Sequence, residues 1–144
     1  MPGAKSFEAE LANWCTSYVA AFSRYDAAGI GAHWAFPALI IHDGNRISFN
    51  SAKQFSGNTE FLLDFYKRQG VSRADRKVLS CMAMNADTAC MTVQDQMLDA
   101  AEQEIVGWQA AYVLQHVDNN WRAVCAVADG EAAAWRARGT PLGT

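Results

Sequence analysis

Four strand-like segments, 74–86, 88–99, 104–118 and 121–129, follow one another with only turn residues between them. Asn85-Ala-Asp87, Ala100-Ala-Glu102 and Asp118-Asn-Asn120 supply the turns; in the first and third, Asn and Asp tolerate the backbone conformations of tight reversals. Helical spacing comes earlier. Phe7, Leu11, Trp14, Tyr18, Phe22 and Tyr25 recur every three or four residues, one apolar stripe of a helix over 7–25. Ser6, Glu8 and Glu10 mark its start. Asp26 caps a short helix that ends in Trp34, ahead of Pro37. Residues 38–49 read as a hairpin turning at Asp43-Gly44-Asn45. A second long helix, 52–69, carries Phe55, Phe61, Leu62, Phe65 and Tyr66 and closes at Gly70, with a break expected at Ser56-Gly57-Asn58. A last short helix covers 131–137. Long strands arriving after the helices must curve over them to bury both apolar faces. The expected class is α+β: a cone-shaped barrel with N-terminal helices packed in a curved antiparallel sheet.

The 144 residues suit one domain spanning 1–144, and a hydrophobic fraction of 51% supports a packed core. The same fraction exceeds what one cone interior hides, so the outer sheet face is expected to bury itself in a homodimer. Net charge is −3, and the densest basic patch, Arg73-Ala-Asp-Arg76-Lys77, is broken by an acid, so no nucleic-acid partner is expected. Cys15, Cys81, Cys90 and Cys125 form no C-x-x-C pair, and Met-Pro-Gly-Ala-Lys-Ser has no apolar signal core. A cytoplasmic chain with no membrane partner is the expectation. Three scattered histidines and no glycine-rich phosphate loop give no expectation of a metal or cofactor.

Local sequence narrows the fold further. The run from Tyr18-Val-Ala-Ala to Asp26, the strand Ala38-Leu-Ile-Ile-His42, Gly107-Trp-Gln-Ala-Ala-Tyr112 and Asn120-Trp-Arg122 together resemble the nuclear transport factor 2-like superfamily. Its relatives include ketosteroid isomerase, scytalone dehydratase and the SnoaL-like cyclases. The resemblance to ketosteroid isomerase implies that Tyr18 stands at the oxyanion-donor position and His42 at the general-base position. The family's second oxyanion donor, an acid, falls near Val113, in a segment without any acid; steroid isomerisation is therefore not implied.

The residues themselves leave paired readings. Tyr18 either donates to a bound carbonyl or is a core tyrosine with one backbone partner. Histidine is a residue type suited to moving protons near neutrality, and His42 is either a general base at the cone mouth or a surface histidine flanking a turn. Asp95 shares a strand face with Met91, Val93 and Met97. It either points into the cone as a catalytic acid or base, or sits on the outer face in an ion pair, the reading preferred here because unpaired buried acids are rare. Trp14, Trp34, Phe61, Phe65, Trp108 and Tyr112 are the candidate ligand wall, each also suited to plain core packing. His33 and His116 are weaker candidates, and Cys15 and Cys125 lack the partners of a nucleophile. The expected function is a SnoaL-like protein that binds a small apolar molecule, with cofactor-free acid–base catalysis; the alternative is a non-catalytic dimeric module of the same fold.

Overall fold

The computed structural model describes residues 4–142, with side chains from residue 7 onward. The elements run α1 (Ala4–Ser23), α2 (Ala27–Gly31), β1 (Trp34–His42), β2 (Asn45–Phe49), α3 (Ala52–Arg68), β3 (Arg73–Ala83), β4 (Thr88–Leu98), β5 (Glu104–Val117), β6 (Asn120–Val127) and α4 (Asp129–Arg138). They build one six-stranded sheet in the order β2-β1-β6-β5-β4-β3, curved but not closed, with helices against it. β3 to β6 form the expected antiparallel meander. β1 joins it in parallel beside β6, a pairing that the sequence does not announce.

Local chemistry sets most boundaries. The Asp26 carboxylate accepts from the Gly29 N–H at 3.0 Å and starts α2. Ser51 caps α3 by accepting from the Gln54 N–H, while the Gln54 side chain reaches back to the Asn50 N–H at 2.8 Å. Asp43 and Gly44 both hold positive φ, the conformation of a two-residue hairpin turn.

Two expectations fail. Trp34 belongs to β1 rather than to the short helix, and the strand starts there instead of at 38. Its register with β6 breaks between Trp34 and Leu39, the span holding Pro37, which has no N–H for a ladder. α3 continues unbroken through Ser56-Gly57-Asn58. Burial of Phe55, Thr59, Leu63 and Tyr66 on one face outweighs the ~1 kcal/mol helix cost of Gly57. α1 packs on β3, α4 on β5, and α2 on α3, so the helices together roof the inner sheet face. No helix among the described residues is long and apolar enough to cross a membrane.

Candidate functional site

The roof and the inner sheet face leave a cavity of about 310 Å³. Phe22, Trp34, Ile40, Phe55, Phe65 and Trp108 supply much of its apolar wall. Strand alternation then decides which polar groups enter. On β3 the inward positions are Ala74, Arg76 and Val78, and on β4 they are Met91, Val93, Asp95 and Met97. The register places Arg76 opposite Asp95.

These two form a bidentate pair: Arg76 Nε lies 2.6 Å from Asp95 Oδ1, and Nη2 lies 2.8 Å from Oδ2. Their side chains are only 4% and 7% exposed, so the pair is desolvated and each charge depends on the other. Nη2 also donates to the Tyr112 hydroxyl at 2.8 Å, and the guanidinium lies over the Tyr112 and Tyr18 rings, 4.7 and 5.3 Å from their centroids. The Tyr18 hydroxyl accepts from Trp34 Nε1 at 2.9 Å. Burial pushes both phenols up, Tyr18 well above the ordinary tyrosine value, so both stay neutral near pH 7. Each accepts a hydrogen bond, and among the described residues neither donates one. Two phenolic hydrogens beside a buried cation suit an oxygen acceptor on a ligand.

A second polar group lines the cavity from α4. Glu131 is 8% exposed; Tyr66 on α3 donates to its Oε2, and Trp135 Nε1 donates to the same oxygen at 3.2 Å. Burial raises this carboxyl to about 7, against the opposing pull of those two hydrogen bonds.

The sequence candidates fall as follows. Tyr18, Trp34, Phe65, Trp108 and Tyr112 line the cavity, and Phe61 does so at 59% exposure. Trp14 does not: it is buried behind the site, stacked on Tyr18 with ring centroids 4.7 Å apart, because its place on α1 is one turn away from the opening. Asp95 faces inward, not outward as preferred, and its paired state is compatible with burial because Arg76 neutralises it. Both of its oxygens are engaged, so it is not a free base. His42 ends β1 on the cavity wall, and its Nε2 is buried without a partner among the described residues. His33 is half-buried, bonding Gly29 O at 2.7 Å and Ser17 Oγ at 2.8 Å. His116 is exposed against Trp121 and 3.7 Å from Glu10. Val113 sits with Cys90 and Cys125 in the cross-strand register, on the outer face.

Sequence reading passed over Arg76, Tyr66 and Glu131. Arg76 lies between Ala74 and Val78 at the period of a strand's inner face, which was a signal; Glu131 precedes Trp135 by one helical turn, which was a weaker one. Among the described residues, no group of three His, Cys, Asp or Glu is placed to hold a metal ion.

The model of the family described as NTF2-like protein (DUF6841) matches residues 9–131, and the chain belongs to that family. No curated protein matches the sequence. Among solved structures, Aln2 from a Streptomyces species is similar at 12% identity, covering 95% of this chain and 99% of its own, with a TM-score of 0.70. A ketosteroid isomerase-like protein from Erwinia carotovora atroseptica is similar at 13% identity, 83% and 92% coverage and a TM-score of 0.64. An NTF-2 like protein of unknown function from Shewanella oneidensis has 7% identity, 83% and 96% coverage and a TM-score of 0.68. At such identities the likeness shows the fold alone.

Proposed function

We propose that the cone binds a small, largely apolar molecule carrying an oxygen acceptor and performs cofactor-free acid–base chemistry on it, of isomerase, dehydratase or cyclase type. One observation carries this reading: a buried Arg76–Asp95–Tyr112 cluster, with Tyr18 beside it, in an otherwise aromatic cavity of about 310 Å³. That volume lies near the lower end for small-molecule sites, where few polar groups among apolar walls set orientation. Tyr18 and Tyr112 would polarise the ligand oxygen. Four free thiols support a reducing, cytoplasmic setting. The exposed Leu79, Met82, Met84 and Val127 support pairing with a second copy through the outer sheet face.

Quenching of Trp34 and Trp108 fluorescence by 2-naphthol and 2-tetralone tests the binding. Tyr18→Phe removes one donor and should weaken 2-naphthol by about 1–3 kcal/mol. Equal affinity in wild type and variant, or no quenching by either compound, would sink the reading.

A further inference from the structure

Glu131 is a buried carboxyl whose two oxygens are unlike. Tyr66 and Trp135 both donate to Oε2. Oε1 receives no hydrogen bond from any described residue, on a side chain that lines the cavity. Two donors on one oxygen leave the other as the seat of any carboxyl proton, so a proton that comes or goes does so at Oε1. The ionisable neighbours are Tyr66 on α3, Arg76 on β3, Asp95 on β4 and Tyr112 on β5, with His42 of β1 on the same wall. Asp95 has both oxygens committed to Arg76, and His42 has no described side-chain partner to orient it, so neither combines a fixed orientation with a free oxygen as Glu131 does.

We propose that Glu131 is the proton-transferring residue of the cavity, positioned by Tyr66 and Trp135, and that its substrate is an enolisable carbonyl compound. This rests on the ligand-binding reading above and adds the group that moves the proton. The carbonyl oxygen lies toward Tyr18 and Tyr112, and the C–H beside it toward α4. Carboxylate Oε1 takes that hydrogen as a proton. The C–H electron pair becomes the C=C bond, and the carbonyl π pair moves onto oxygen, where the phenols donate. The proton on Oε1 exchanges with solvent, and delivery of a solvent-derived proton back to carbon regenerates ketone and carboxylate, with nothing consumed.

The test is exchange of the α-hydrogens of 2-tetralone in D2O, followed by proton NMR, with binding read separately by tryptophan quenching. Wild type should accelerate exchange above buffer, with a rate that rises as pH passes through about 7, because only the ionised carboxyl accepts a proton. Glu131→Gln keeps shape and burial but should lose roughly 100-fold or more of that rate while still binding. Tyr66→Phe removes a bond that stabilises the carboxylate, so the midpoint of its profile should move to higher pH. A merely structural Tyr66 would leave the midpoint in place. Infrared spectroscopy without ligand should show a carboxylic C=O band that titrates with the same midpoint and is missing in Glu131→Gln. Four results would overturn the assignment while leaving the cavity reading intact: binding without exchange, undiminished exchange in Glu131→Gln, an unmoved midpoint in Tyr66→Phe, or binding of 2-naphthol but not 2-tetralone. Absence of binding by either compound overturns both.

Discussion

Glu131 holds its proton more tightly in the folded chain than outside it, because burial disfavours the carboxylate. The folded value near 7 exceeds the ordinary 4.5, so the native state binds more protons across that interval. Stability from this group is full below about 4.5 and is lost as pH rises through about 7. Full titration is worth about 3 kcal/mol, at ~1.4 kcal/mol for each tenfold step. Denaturant melts of wild type and Glu131→Gln at a series of pH values should therefore diverge over that window; parallel curves would refute the raised value. Tyr18→Phe has a stability cost too, since Trp34 Nε1 loses its acceptor in the core. The Arg76–Asp95 pair behaves differently: each partner alone would be a buried uncompensated charge, so the two act as one unit.

α4 reaches the cavity only because it docks closely on β5. A Cβ at Gly130 would lie 2.6 Å from the Gln109 carbonyl oxygen and 3.4 Å from the Trp108 Cβ. The first is backbone in the middle of the sheet, which cannot turn aside. Gly130→Ala should push the start of α4 outward, costing about 1–3 kcal/mol by overpacking. It should also loosen the hold of Tyr66 and Trp135 on Glu131, which sits one residue further on. A lowered Tm, at about 2–4 °C per kcal/mol for a chain of this size, checks the first effect. An unchanged Tm would mean that the helix adjusts freely. α3 shows the opposite balance: its glycine faces open space, and the buried stripe keeps the helix whole.

For the molecule as a whole, the sheet has two faces and the helices cover one. On the other, Leu79 is 44% exposed, Met82 62% and Met84 58%, around a shallow hollow lined by Cys90, Val113 and Cys125. Covering such a face with a second copy removes apolar area from water at about 25 cal/mol per Å². Light scattering at micromolar concentration should return twice the chain mass, and Val113→Glu, a charge in the centre of that hollow, should return the monomer mass. A clean monomer for the unaltered chain would sink the proposed pairing.

The order of elements was legible because it depends on neighbours in sequence. Periodicity near 3.6 exposed α1 and α3, and Asx-rich turns delimited β3 to β6 to within a few residues. The resemblance around Tyr18 to Asp26 and in the last two strands identified the superfamily to which the chain belongs. Tyr18 could be read as inward from its stripe alone. What a residue meets across the cone was another matter. Arg76 finds Asp95 only through the β3–β4 register, and Trp34 reaches Tyr18 only once β1 has taken its place beside β6. The preference for an outward Asp95 followed from the cost of an unpaired buried acid, and pairing removed that cost. Glu131 is the clearest case. In the chain it is an ordinary acid in the first turn of a polar-looking helix; the docking of α4 on β5 buries it, and burial is what lifts its proton affinity.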